Sequence, residues 1–175
     1  NLNLNTKYYY AVFDINGTNI TQLQFDPLSN YFYSAPQGNS TLRFWVTGDV
    51  GNANAVQSGM KSAFLNYCVA NNISPINGWI WLGDNAYNSG LAADYQSQTF
   101  TPFANELKHF PLLPSPGNHD YANLGYPQPS NNSIEYFNLM AISGQDTLTS
   151  QTKKYWSHNY GPIHFISLDS YGALS

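Results

Sequence analysis

The stretch "FWVTGDVGN" at residues 44–52 ends an apolar run with a glycine, a carboxylate and a second glycine. The apolar run predicts a buried strand, and Asp49 comes directly after it. Only 9% of the residues in the chain are charged, so few carboxylates are available for such a position. Asp49 therefore marks the place where a predicted core strand ends and the chain turns.

A helical pattern follows this strand. "NAVQSGMKSAFLNYCVANN" at residues 54–72 predicts an amphipathic helix that ends at Asn71 and Asn72. We expect Cys68, the single cysteine, to be a small buried hydrophobe within it. The apolar side chains at spacings of three and four are Val56, Met60, Ala63, Phe64, Tyr67 and Ala70.

The alternation of strand and helix continues along the chain. "GWIWLGD" at residues 78–84 predicts a second strand, a mixed helical region covers residues 92–107, and "FPLLPSPGNHD" at residues 110–120 predicts a third strand. Strands that alternate with helices predict a largely parallel sheet covered by helices. "YWSHNYG" at residues 155–161 and "IHFISLDS" at residues 163–170 predict an antiparallel hairpin added to that sheet.

The first part of the chain, residues 1–40, has a different pattern. "KYYYAVFDI" at residues 7–15 alternates and is rich in aromatic residues, and "NGTN" at residues 16–19 is typical of a turn. A few strands without a helix cannot close a core, so this part is predicted to be the end of a β-sandwich. Tyr8 resembles the tyrosine corner of fibronectin type III sandwiches, the alternative being an ordinary exposed tyrosine.

Polar residues follow each of the three predicted core strands. Asp49 follows the first strand, Asp84 the second, and Asn118, His119 and Asp120 the third. In an open α/β sheet, ligands bind beyond the carboxyl ends of the strands. A single Gly-Asp pair is often only a helix cap, but three such groups at successive strand ends predict a shared site.

Carboxylate and amide oxygens together with imidazole are ligands of Mg, Mn, Fe and Zn. Paired cations about 3.5 to 4 Å apart are a known device for cleaving phosphate esters. The sequence lacks the Gly-x-Ser-x-Gly elbow of serine hydrolases, the Gly-x-Gly-x-x-Gly motif and the Gly-Lys-Ser/Thr phosphate loop. These residue types therefore favour metal-assisted phosphoester chemistry.

The composition bears on partners and location. The formal net charge is −4 and the basic residues are scattered, so we expect no nucleic-acid partner. No apolar run approaches the roughly 20 residues of a membrane span, so we expect no transmembrane segment. The chain has few charged residues and many Asn, Ser, Thr, Gln and Tyr residues, a composition that favours an extracytoplasmic protein, whether secreted, periplasmic or at the cell surface. A surface-associated or multidomain context is compatible with this composition.

The blocks "GDVG" (48–51), "GDNAY" (83–87) and "GNHD" (117–120) resemble, in this order, the first three signature blocks of the calcineurin-like metallophosphoesterase superfamily. Gly-Asp-x-x-Tyr resembles the purple acid phosphatases, in which a fibronectin-like sandwich commonly precedes the catalytic domain. The resemblance implies an α/β fold: a β-α-β metallophosphoesterase sheet layered with helices, present as an incomplete half. Residues 1–40 would be the C-terminal strands of the sandwich and residues 41–175 the N-terminal part of the catalytic domain.

The resemblance also implies roles for five residues. Asp49 and Tyr87 would bind the first metal, Asp84 would bridge both metals, and Asn118 would bind the second. His119 would contact the substrate phosphate and protonate the leaving oxygen. The cofactors would be two metal ions, Fe(III) plus a divalent Fe, Zn or Mn.

Physical chemistry supports Fe(III) beside Tyr87, because a phenol with a pKa near 10 binds well only beside a strong Lewis acid. The alternative is that Tyr87 only stacks on the rim of the site. Asp120 stands where purple acid phosphatases often carry Glu. We expect it to orient His119 or to cap the following turn.

The resemblance implies two further blocks with three histidine ligands, which do not occur before Ser175. His109, His158 and His164 lack the neighbours of those blocks and are predicted to be structural. We hypothesise that the chain is a piece of a longer phosphoesterase that uses a hydroxide bound by two metals against a phosphate monoester. The alternative is a catalytically incomplete phosphatase-like surface or binding module.

Overall fold

The computed structural model describes residues 2–23, 26–122, 134–142 and 153–171. Its first part consists of four short strands: β1 (Lys7–Tyr9), β2 (Phe13–Asn16), β3 (Asn19–Gln22) and β4 (Tyr31–Tyr33). β1 pairs with β4 and β2 pairs with β3, both antiparallel. The turn predicted at residues 16–19 therefore joins two paired strands, whereas the alternating run at residues 7–15 forms two separate strands that pair with different partners.

Tyr8 makes a contact that fits the predicted tyrosine corner. Its hydroxyl accepts a hydrogen bond from the backbone N–H of Asn3, five residues upstream, at 2.7 Å. A tyrosine corner uses the hydroxyl in this way, bonding back to the preceding backbone. The assignment of residues 1–40 to a sandwich stays a prediction.

A three-stranded parallel sheet lies in the second part of the chain. The strands are β5 (Phe44–Thr47), β6 (Gly78–Trp81) and β7 (Leu112–Pro114), in the order β5-β6-β7. Helix α1 (Ala55–Ala70) connects the first two strands. The connection to β7 contains α2 (Ala92–Tyr95), a π-helical turn (Gln96–Phe100) and α3 (Ala104–Leu107). The predicted α/β organisation and the three core strands are confirmed.

Stacked aromatic rings join α1 to the sheet. The Trp45 ring lies between Phe64 of α1, at 4.2 Å, and Trp79 of β6, at 4.3 Å, and is nearly parallel to both. Phe103 packs edge-on against Trp79 at 4.9 Å. Such ring pairs contribute about 0.5–1.5 kcal/mol each beyond their area burial, so this stack fixes the helix over β5 and β6.

The predicted inward face of α1 is wrong in part. Met60 and Phe64 pack against the core as expected, but Val56 is 77% exposed and Tyr67 is 60% exposed. Gln57 is the buried residue instead, because its side-chain amide donates to the backbone carbonyls of Val50 and Gln98. Ala63 and Ala70 are also exposed, and Cys68 is only half-buried.

The hairpin of β8 (Trp156–Tyr160) and β9 (Ile163–Ser167) follows helix α4 (Glu135–Leu139). Its strands pair antiparallel as predicted, but within the described residues they form a separate sheet and do not extend β5-β6-β7. Pro114 in β7 has no N–H to donate to a further strand. Its carbonyl instead accepts from the Trp156 indole N–H at 2.9 Å, so a side chain attaches the hairpin.

A buried hydrogen bond between β5 and β6 gives a test of this core. The Trp79 indole N–H donates to the Thr47 hydroxyl at 2.8 Å, and both residues are buried. Thr47→Val keeps the volume but leaves that N–H unpaired, which we expect to lower the free energy of unfolding by about 1–3 kcal/mol. Thr41→Val, at an exposed position, should change it by less than about 0.5 kcal/mol. Urea denaturation measures both, and equal effects would contradict the packing described.

Candidate metal centre

The loops after β5 and β6 are hydrogen-bonded to each other beyond the edge of the sheet. The backbone N–H of Asp49 donates to the Gly83 carbonyl at 3.1 Å, and that of Tyr87 donates to the Gly51 carbonyl at 2.8 Å. The parallel arrangement thus continues past the last paired residues of the strands. These two backbone hydrogen bonds bring the side chains of both loops close together at the carboxyl edge of the sheet.

Two carboxylates and a phenol converge there. The Tyr87 hydroxyl oxygen lies 2.7 Å from Asp49 Oδ1 and 3.0 Å from Asp84 Oδ2, and the two carboxylates share its single hydrogen. Burial, and then the hydrogen bonds to Asp49 and Asp84, raise the pKa of the Tyr87 phenol above its usual value. Three oxygen atoms from two loops therefore surround one point.

Both aspartates have a left-handed backbone conformation. Asp49 has φ 57° and Asp84 has φ 54°, a region that costs most residues about 1–2 kcal/mol. Strain of this kind is concentrated at functional sites, where the surrounding structure maintains it. The matching conformations point the two carboxylates toward the same place.

The glycines of these loops differ in how much space surrounds them. Gly48 has no positive φ, and a Cβ there would make only an ordinary contact with Leu82 at 3.4 Å. Asp49 itself makes the left-handed turn instead. Gly51 and Gly117 permit close approach, since a Cβ would meet the Asn85 carbonyl oxygen at 2.1 Å and Asp84 Oδ1 at 2.3 Å, respectively.

His119 joins this cluster from the loop after β7. Its backbone N–H donates to Asp84 Oδ1 at 2.9 Å, and its ring lies 4.2 Å from the Tyr87 ring. Its Nδ1 lies 2.8 Å from the Asn88 carbonyl oxygen. Because a carbonyl only accepts, Nδ1 carries a hydrogen and Nε2 is left to exchange a proton. Tyr87 thus contacts His119 through its ring and the carboxylates through its hydroxyl.

Asn118 and Asp120 flank His119 in the same turn. The Asn118 carbonyl accepts from the backbone N–H of Tyr121 at 3.2 Å, which closes the turn. Asp120 accepts from the backbone N–H of Gly117 at 2.7 Å. The expectation that Asp120 orients His119 or caps the following turn is not met. Its carboxylate caps the backbone N–H of Gly117, which precedes it, and the His119 ring nitrogen Nδ1 pairs with the Asn88 carbonyl instead. No local sequence signal marked Asn88.

The other histidines lie apart from this cluster. His109 Nε2 lies 2.8 Å from the Ser29 carbonyl oxygen, and its ring packs on Tyr31 at 4.1 Å. His164 Nδ1 lies 2.7 Å from the Asn159 side-chain oxygen on the paired strand, and His158 also lies in β8. These contacts agree with the predicted structural roles.

The residues present fit part of a metal site. Oxygen donors suit hard cations, and a Cβ on Gly117 would fill the space against Asp84 Oδ1. Among the residues that the structure describes, no group of three or more His, Cys, Asp or Glu side chains is arranged to hold a metal ion. The fit therefore rests on the two carboxylates and the phenol, since the contact described for Asn118 is that of its backbone carbonyl.

Comparison with known proteins bears directly on this arrangement. The sequence model described as calcineurin-like phosphoesterase matches residues 42–174, which include all three loops. The chain belongs to the calcineurin-like phosphoesterase family. None of the curated proteins matches this chain significantly.

Among solved structures, the chain is similar to a purple acid phosphatase from seeds of yellow lupin (Lupinus luteus). The TM-score is 0.65 at 17% sequence identity, and the match covers 94% of this chain. The chain spans 30% of the lupin protein, and the likeness shows the fold. In the described ranges, no helix is both long and apolar enough to cross a membrane.

The contact between the loops after β5 and β6 gives a second test. Gly51→Ala would place a Cβ against the backbone of Asn85 and Ala86, which has to move. We expect the free energy of unfolding to fall by about 1–3 kcal/mol. Gly59→Ala, in α1 with open space around its Cβ, should raise it by about 0.5–1 kcal/mol. Thermal and urea denaturation compare the two variants, and a stable Gly51→Ala protein would refute the close approach.

Proposed function

We propose that this domain belongs to an extracytoplasmic metal-dependent phosphoesterase that hydrolyses phosphate monoesters at a dinuclear centre. The observation that carries the proposal is the convergence of Asp49 and Asp84 on Tyr87, whose phenol oxygen lies 2.7 Å and 3.0 Å from the two carboxylates. The family assignment and the likeness in fold to a purple acid phosphatase support it.

Four residues would hold the metals in this proposal. Asp49 and Tyr87 would bind the first, Asp84 would bridge the two, and Asn118 would bind the second. When bound, two such cations hold the phosphate, neutralise developing charge and lower the pKa of a coordinated water. A dinuclear centre needs further ligands, which are not among the described residues.

The chain's own residues have distinct tasks. The single hydroxyl hydrogen of Tyr87 is shared between the two carboxylates, which reduces the repulsion between their like charges. A cation bound by these oxygens would replace that hydrogen. The Asp84 carboxylate is further oriented by the His119 backbone N–H, at 2.9 Å.

His119 would supply the proton to the leaving oxygen. The Asn88 carbonyl fixes Nδ1 as a donor at 2.8 Å, so Nε2 is the atom that gives up a proton. Contact with the Tyr87 ring limits rotation of the imidazole. The ring is therefore held in one orientation before substrate binds.

A binding module is the second candidate. Among the described residues, no three His, Cys, Asp or Glu side chains are arranged to hold a metal ion, and this observation supports a phosphatase-like domain without chemistry. Metal analysis of the full-length protein separates the two candidates. Two metals per chain together with phosphatase activity would support the enzyme. The absence of both would support the binding module.

Asp84→Ala tests the bridging role. In the full-length protein we expect it to remove both metals and abolish hydrolysis of p-nitrophenyl phosphate, because the loss of one bridging carboxylate weakens both sites. Elemental analysis and the rate assay measure these losses. Asp14→Ala, which removes an exposed carboxylate from β2, should retain both properties. Full metal occupancy in Asp84→Ala would refute the bridging assignment.

Tyr87→Phe tests the identity of the first metal. If Tyr87 binds Fe(III), the purified protein has a visible charge-transfer band, and this band disappears in Tyr87→Phe because the phenolate is its source. Absorption spectroscopy of the iron-loaded proteins checks this. An active colourless wild-type protein would instead indicate two other metals.

A further inference from the structure

Asp120 is a buried carboxylate, 1% exposed, that accepts hydrogen bonds from three residues. The backbone N–H of Gly117 donates to Oδ2 at 2.7 Å. The backbone N–H of Asn85 lies 3.2 Å from each carboxylate oxygen, and the Asn85 side-chain amide lies 3.2 Å from Oδ2. The Tyr95 hydroxyl donates to Oδ1. Every one of these partners is a donor.

The partners of Asp120 lie on two different loops. Asn85 directly follows Asp84 in the loop after β6, and Gly117 directly precedes Asn118 in the loop after β7. One carboxylate therefore connects the residue next to the proposed bridging ligand with the residue next to the proposed second ligand. Tyr95, from α2, fixes the carboxylate from a third side.

An asparagine cannot make the same connections. The carboxylate offers two acceptor oxygens, and all of the donors described point at them. An amide NH₂ in place of one oxygen has a donor where an acceptor is required. The buried site excludes water that could replace the lost bonds.

We propose that Asp120 is a positioning residue that holds the ligand loops after β6 and β7 at a fixed separation. It acts through Asp84 and Asn118 and touches neither substrate nor metal. The proposal rests on the proposed function, since the separation matters only if both residues bind metal. Partners that orient metal ligands typically contribute 10–100-fold in metal affinity.

The experiment compares two buried carboxylates in the full-length protein after removal of metal. D120N removes an acceptor from the connection between the loops. D169N is the matched control, because Asp169 is also 1% exposed and also accepts from a tyrosine hydroxyl, that of Tyr121. Calorimetric titration with Zn²⁺ alone gives the affinity, and urea denaturation of the metal-free proteins gives the stability.

We expect D120N to bind Zn²⁺ about 10–100-fold more weakly, and D169N to bind within threefold of wild type at a similar loss of stability. Equal affinities in D120N and wild type would overturn the positioning role, as would equal losses in the two variants. Wild-type protein that binds no Zn²⁺ would overturn the proposed function and the positioning role together. Failure of the positioning role alone is thus distinguishable.

Amide exchange in the wild-type protein tests the connection if D120N does not fold. The amides of Asn85 and Gly117 donate to the same carboxylate, so one opening event exposes both. Their protection factors should agree within tenfold, and Zn²⁺ should raise both. A larger difference, or an effect of Zn²⁺ on only one amide, would overturn the proposal.

Discussion

The candidate site depends on how closely the loops approach one another beyond the parallel sheet. The Tyr87 N–H reaches the Gly51 carbonyl at 2.8 Å, and a Cβ on Gly117 would lie 2.3 Å from Asp84 Oδ1. No side chain fits at either glycine. Because the backbones can come this close, side chains as short as aspartate from neighbouring strands meet at one point.

The order of the elements and the edge that carries the site could be predicted from the sequence, because both depend on local signals. Each core strand is a short apolar run that stops at a glycine-containing block. Helix α1 begins where the Asn54 side chain accepts from the N–H groups of Val56 and Gln57, both at 3.0 Å. Such signals act over a few residues and can be read without knowing the rest of the fold.

The features that could not be predicted depend on partners far away in the chain. Gln57 faces inward because it satisfies carbonyls at Val50 and Gln98, the latter 41 residues away. The contacts of Asp120 with Tyr95 and Asn85 span 25 and 35 residues. The spacing of apolar residues predicts only which hydrophobic side chains are buried. It cannot identify a polar side chain that is buried because it forms a hydrogen bond with a group distant in the sequence.

The left-handed conformation of Asp49 and Asp84 has a consequence for how this sequence changes over generations. Glycine adopts φ values near 57° and 54° without steric cost, whereas aspartate is strained at both positions. The hydrogen bond from the His119 backbone N–H offsets part of that strain at Asp84, and no such backbone donor is described for the Asp49 side chain. In a descendant that no longer uses the carboxylates, replacement by glycine should therefore occur at position 49 before position 84.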